Sequence, residues 1–131
     1  MRARINFITL AVNDLRISYE FYAGCMGLRA SKVPEEGDDH LLFELENGFS
    51  LVLYRRKDYL NFAADPDQAS SSAGFILSQY VDSKEEVDDI LALALLGGAK
   101  PAGEYHDEPW GYTAGFSDPD GHQWEIFYRR D

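Results

Sequence analysis

The sequence is poor in the groups that several kinds of chemistry require. A single cysteine in 131 residues rules out an internal disulfide. That residue, Cys25, falls in an expected helix beside Phe21, Tyr22 and Met26. No neighbouring histidine activates it, so it reads as a small core residue rather than a nucleophile. Basic residues are also few: 12 Lys and Arg stand against 23 Asp and Glu, a net charge of -11. This balance disfavours phosphate backbones and anionic membranes, so neither nucleic acid nor a membrane is expected as a partner. No N-terminal apolar segment has the length or flanks of a signal peptide or a membrane span, and with one cysteine a reduced, cytoplasmic setting is expected. The three histidines, His40, His106 and His122, lie in separate segments without i, i+4 spacing or a supporting cysteine. Such scatter reads as surface or turn packing rather than a metal-ligand set.

What remains is a chain of common single-domain size, 45% hydrophobic and 14% aromatic, which is enough to bury a real interior. The acidic clusters Glu35-Glu36-Gly37-Asp38-Asp39, Glu85 to Asp89 and Asp107-Glu108 read as solvated surface.

Periodicity divides the chain into two copies of one unit. In the first, Arg4 to Val12 reads as a strand. Asn13 or Asp14 then caps a helix with the apolar stripe Leu15, Tyr19, Tyr22 and Met26, ending at Gly27. A short strand near Leu28 to Val33 follows, and then a hairpin, His40 to Leu45 and Phe49 to Arg55, joined through Asn47-Gly48. In the second copy, Gly74 to Val81 is a strand. Ser83 with Glu86 forms a capping box for a helix with stripe Val87, Ile90, Leu91, Ala94 and Leu95, stopped by Gly97-Gly98. Strands around Ala99 to Glu104, Tyr112 to Ser117 and the final run complete it. The order is β-α-β-β-β twice: a single domain over 1–131, with one module at about 1–56, a second at about 73–131, and a linker at about 57–72. Asp65-Pro66 and Ser70-Ser71-Ser72 suit that linker, which has room for a helical turn around Asp58 to Ala64. Val12 corresponds to Val81, a shift of 69, and Gly48 to Gly121, a shift of 73.

The last turn and strand single out one acid. Asp118-Pro119-Asp120-Gly121 is a tight-turn signature. Alternation along the following strand sets Gln123, Glu125 and Phe127 against Trp124, Ile126 and Tyr128. Glu125 is then either a site carboxylate or a surface acid paired with Arg55 or Arg129.

Thr9-Leu10-Ala11-Val12-Asn13-Asp14-Leu15 followed by Phe21-Tyr22 and Gly27-Leu28, with Asp118-Pro119-Asp120-Gly121-His122 and Trp124-Glu125 at the end, resembles the vicinal oxygen chelate superfamily. That superfamily includes glyoxalase, bleomycin resistance proteins, fosfomycin resistance enzymes and extradiol dioxygenases. Glu108-Pro109-Trp110-Gly111-Tyr112 looks like a glyoxalase-like subgroup. The resemblance implies an α+β fold of two βαβββ modules, forming a cupped mixed sheet with helices outside, and a homodimer. It also implies four pseudo-symmetric metal positions, which fall here on Phe7, Val52, Ile76 and Glu125. Three are hydrocarbons. One carboxylate supplies neither the roughly three protein ligands of a catalytic zinc nor the several oxygens of magnesium or manganese, so no metal and no cofactor are expected.

On the parity of Glu125, a cup would be lined by Phe7, Thr9, Ala11, Ser50, Val52, Tyr54, Ile76, Ser78, Tyr80, Gln123 and Phe127. A mainly apolar wall with a few hydroxyls, one amide and one acid suits a small aromatic or planar organic ligand. Trp110 and Tyr112 are either stacking residues at its mouth or ordinary packing. An enclosed Glu125 would serve as acid, base or counter-charge to a cation. Ser50, Ser78 and Thr9 lack an adjacent histidine and make no nucleophile-base pair. The expected function is small-molecule binding without the family metal centre, turnover being undecided. The alternatives are a metal-dependent lyase, isomerase or dioxygenase of the same superfamily, and a structural or partner-binding module whose cup is filled by its own side chains.

Overall fold

Residues 1–62 and 74–131 are described by the computed structural model. The chain divides into two units, Met1–Ser70 and Ser71–Asp131, with four-stranded and five-stranded mixed sheets, an α+β architecture.

In the first unit, strand β1 (Phe7–Val12) leads into Asp14, whose Oδ1 accepts from the backbone N–H groups of Arg16 and Ile17 at 2.8 and 3.3 Å. Two of the donors left open at a helix start are thereby satisfied. Helix α1 (Leu15–Tyr19) continues as a π-helical stretch, Glu20–Cys25. This corrects the expected stripe. The wider turn, with Met26 N–H bonding the Phe21 carbonyl, breaks the 3.6-residue repeat, so Leu15, Ser18, Phe21 and Tyr22 are buried while Tyr19 and Met26 are not. Strands β2 (Arg29–Ala30), β3 (His40–Glu44) and β4 (Ser50–Arg55) follow. The hairpin turn puts Asn47 at φ 61°, ψ 29° and Gly48 at φ 75°, the type I′ geometry that Asn-Gly favours. Sheet order is β1-β4-β3-β2, with β1 parallel to β4. The expected helical turn after β4 is present as α2 (Arg56–Tyr59). It lies earlier than the expected Asp58 to Ala64, since Leu60 to Phe62 form turns rather than helix, and Ala63, Ala64, Asp65-Pro66 and the Ser70 to Ser72 run lie outside the described residues.

In the second unit, β5 (Leu77–Val81) precedes Ser83, whose side chain accepts from Glu86 N–H at 3.1 Å and starts helix α3 (Lys84–Leu96). The Glu86 carboxylate reaches back to Asp82 N–H at 3.0 Å, one residue before the position expected of a capping box. Val87, Leu91 and Ala94 are buried as expected, but Leu95 is exposed. Strands β6 (Lys100–Pro101), β7 (His106–Glu108), β8 (Gly111–Ser117) and β9 (Gln123–Arg129) follow, in the order β5-β9-β8-β6 with β7 also on β8. Strand β7 joins His106, Asp107 and Glu108 to the sheet by pairing with Thr113, Tyr112 and Gly111 of β8.

The two registers superpose. Thr9 lies opposite Val52 across β1 and β4, and Ser78 lies opposite Glu125 across β5 and β9, so the shifts of 69 and 73 read from the sequence hold. In each unit one sheet face carries the core: Leu10, Val12, Leu41, Phe43, Leu51 and Leu53 in the first, and Ala114, Phe116, Trp124 and Ile126 in the second. Tyr22 meets Phe43 at 5.7 Å, and α3 packs on β8 and β9. The opposite face of each sheet is the more open one. Among the described residues no helix is long and apolar enough to cross a membrane.

Candidate functional site

The open face of the first sheet owes its character to strand alternation, which turns Phe7, Thr9 and Ala11 from β1 and Ser50, Val52 and Tyr54 from β4 away from the core. The hairpin register adds His40 opposite Tyr54 and Leu42 opposite Val52. The next segment closes one side, with Tyr59 at the end of α2 and Phe62 just beyond. Phe7, Thr9, Tyr54, Tyr59 and Phe62 line a hollow of about 330 Å³, at the small end of the range for organic ligands. Its walls are aromatic, and Thr9 contributes the aliphatic-borne hydroxyl. Tyr54 and Phe62 meet at 5.0 Å with their planes 72° apart, and the His40 ring stacks on Tyr54 at 4.9 Å and 19°. His40 Nδ1 lies 2.6 Å from Asp39 Oδ1, and this hydrogen bond holds the Asp39 carboxyl below its ordinary value. Val52 is 7% exposed, whereas Phe7 is 59% exposed, so the rim rather than the floor of this face is open.

The corresponding face of the second sheet differs in one decisive residue. Glu125, at the position matching Val52, is half-buried, and Ser78 donates to its Oε1 at 3.3 Å. Neither arginine considered for it is its partner: Arg55 pairs with Asp58 at 2.7 Å and Arg129 with Asp131 at 3.4 Å. Across the strand stands Gly115, where a Cβ would come within 2.7 Å of the Ala102 carbonyl oxygen; only a glycine lets that chain cross here. Phe127 carries the aromatic rim, with Tyr80 at 5.4 Å and 79° and Trp110 at 5.4 Å and 32°. Gln123 begins the strand on the same face and is partly exposed. Ile76 precedes β5 and is 52% exposed.

Of the two alternatives for Tyr112, a ligand mouth or ordinary packing, the structure shows packing. Tyr112 pairs with Tyr128 on the helix-packed face, is 8% exposed, and donates its hydroxyl to Asp88 of α3 at 2.7 Å. Burial, and next the Asp88 bond, push its phenol up to about 12. Beside it Asp107 joins Lys84 at 2.9 Å and Arg130 at 2.6 Å, and these hydrogen bonds hold the Asp107 carboxyl below the usual range. Tyr112 therefore fastens the β7-β8 hairpin to α3.

Sequence reading missed Tyr59 and Phe62, which fall in the expected linker, and the stacking of His40, exposed as expected, on Tyr54. For His40 a signal existed: strands ending at Leu45 and resuming at Phe49 around the turn Glu46-Asn47-Gly48 pair residue 40 with residue 54. For the other two none did, because they reach the hollow through the path of α2.

A model of the Glyoxalase/Bleomycin resistance protein/Dioxygenase superfamily matches residues 4–126. The chain belongs to that superfamily. Among solved structures, a glyoxalase-related enzyme from Fulvimarina pelagi is 23% identical with a TM-score of 0.82, covering 98% of this chain and 89% of the other. A family enzyme from Burkholderia phytofirmans is 17% identical with a TM-score of 0.79, covering 95% and 98%. A lactoylglutathione lyase from Agrobacterium tumefaciens is 21% identical with a TM-score of 0.69, covering 97% and 94%. At these identities the likeness is one of fold. None of the curated proteins matches the chain in sequence.

The superfamily's metal positions meet a poor donor set. Phe7 and Val52 in the first unit and Ile76 in the second offer no lone pair, and Glu125 offers one carboxylate. Among the described residues no group of three or more His, Cys, Asp or Glu side chains is placed to hold a metal ion. The residues at these positions do not fit the family metal.

Proposed function

We propose that this protein is a small-molecule binding protein of the glyoxalase/bleomycin resistance fold that works without the family metal centre, as a cytoplasmic homodimer. The observation that carries the reading is the aromatic hollow of the first unit, lined by Phe7, Thr9, Tyr54, Tyr59 and Phe62. Its rings supply apolar contact to a small aromatic or planar organic ligand, and the Thr9 hydroxyl supplies orientation. Ser50 and Val52 form the adjoining face of the same sheet. In the second unit the Ser78–Glu125 pair, flanked by Gln123, Ile76 and Trp110, is the candidate polar element. Its carboxylate serves as counter-charge or as a proton acceptor.

The test combines metal analysis of the purified protein with a thermal-shift screen of aromatic and cationic compounds before and after chelation. Ligands that bind only the folded state raise the midpoint, and here the rise is expected to survive chelation. A stoichiometric divalent ion that disappears in Glu125→Ala would replace this reading with a metal-dependent lyase, isomerase or dioxygenase. No stabilisation by any compound would leave a structural or partner-binding module.

A further inference from the structure

The walls of the first-unit hollow form a corner rather than a slot. Tyr54 and Phe62 stand 72° apart at 5.0 Å, and Phe7 and Tyr59 complete the lining. A flat ring inserted there can lie parallel to only one of two such walls, whereas a compact, roughly spherical group touches both. Aromatic faces carry negative quadrupole potential, so a spherical group that gains most from several faces at once is a cation. Among the described residues of the lining nothing opposes one. None of its five residues carries a basic side chain, and the nearest arginine in sequence, Arg55, has its guanidinium tied to Asp58 at 2.7 Å. Arg56 donates through Nε to Asn13 Oδ1 at 3.0 Å. The chain's charge of -11 adds a field that draws cations toward the protein. Tyr54 is also held in place, stacked on His40 at 4.9 Å, so its orientation does not have to be fixed at the moment of binding.

We infer that the hollow lined by Phe7, Thr9, Tyr54, Tyr59 and Phe62 accepts the compact methylated ammonium head of a small organic cation. This rests on the reading of the same hollow as a ligand site, and it specifies the chemical class. A volume of about 330 Å³ suits such a head with a short tail, and Thr9, Tyr54 and Tyr59 are the hydroxyl-bearing residues of the lining. No acid is required in the lining.

Calorimetry on the intact protein with choline and with its neutral carbon isostere, 3,3-dimethylbutan-1-ol, tests this directly. The two differ in charge and hardly in shape. Choline is expected to bind about tenfold more tightly than the alcohol. Phe62→Leu, at a largely exposed position where folding is not at stake, is expected to erase that preference, and Tyr54→Phe to keep it. Equal affinity for the two probes would overturn the inference while keeping a small-molecule site. Absence of choline binding overturns it as well, and the aromatic compounds of the thermal-shift screen then separate the two failures. Stabilisation by those compounds leaves the small-molecule reading standing, and silence from all of them removes both.

Discussion

The two units share a register and differ in what stands on it. Phe43 and Phe116 occupy equivalent core positions, both essentially buried, while on the open face Val52 corresponds to Glu125, Leu42 to Gly115 and Tyr54 to Phe127. The acid and the glycine fall in the second unit, the aromatic hollow in the first. Charge is unequal too: eleven acidic and eight basic residues in the first unit, twelve and four in the second. Core positions are constrained by close packing on both sides, so they tolerate little change in volume. The open face is less closely packed at its rim, and there the two copies differ.

If the cores are equivalent, Phe43→Ala and Phe116→Ala should each cost about 3–5 kcal/mol of the unfolding free energy of the unit concerned. Chemical denaturation followed by probes in each unit checks this. One substitution costing much less than the other would break the correspondence. A smaller effect is expected where the copies differ. Gly115→Val must displace the Ala102 carbonyl and should destabilise by about 1–3 kcal/mol. The reverse change at the matching position, Leu42→Gly, should instead lose packing without any clash, so the two variants are expected to differ in whether β6 stays on β8, read by amide exchange of Ala102. The smallest effect concerns Tyr112. At neutral pH Tyr112→Phe should cost about 1 kcal/mol, the worth of one hydrogen bond. Because its phenol lies at about 12 in the folded chain against an ordinary value of 10.0, the unfolded chain loses this proton first as pH rises. The native protein should therefore lose stability between about pH 10 and 12, and Tyr112→Phe should lose less over that window, which denaturation midpoints measured across that range would show.

Much of this architecture was legible from local chemistry. Asp14 and Ser83 cap helices because their oxygens reach the open N–H groups of a first turn. Asn47-Gly48 makes a type I′ hairpin because both residues accept positive φ, and the alternation Gln123, Glu125, Phe127 assigns faces because strand side chains point to opposite sides. The helical stripe failed at Tyr19 and Met26 because a π-turn leaves no mark in a 3.6-residue pattern. The choice between a ligand mouth and packing for Tyr112 was not legible because a strand residue beside a turn belongs to the face that its partner strand dictates, and Tyr112, opposite Tyr128, bonds Asp88 of α3.

What the sequence determined by itself was everything carried by neighbours a few residues apart: the caps, the turns, the order of elements, the duplication, and the lack of donor atoms at Phe7, Val52 and Ile76. What only the tertiary structure decided was which side chains meet from distant segments. The pairing of Ser78 with Glu125 across 47 residues, the joining of Tyr59 and Phe62 to Phe7 and Thr9 around one hollow, and the stacking of His40 on Tyr54 all depend on strand register and the path of the chain after β4. Local propensity shapes an element, but contact between elements follows from how their buried faces pack, and that is a property of the folded chain as a whole.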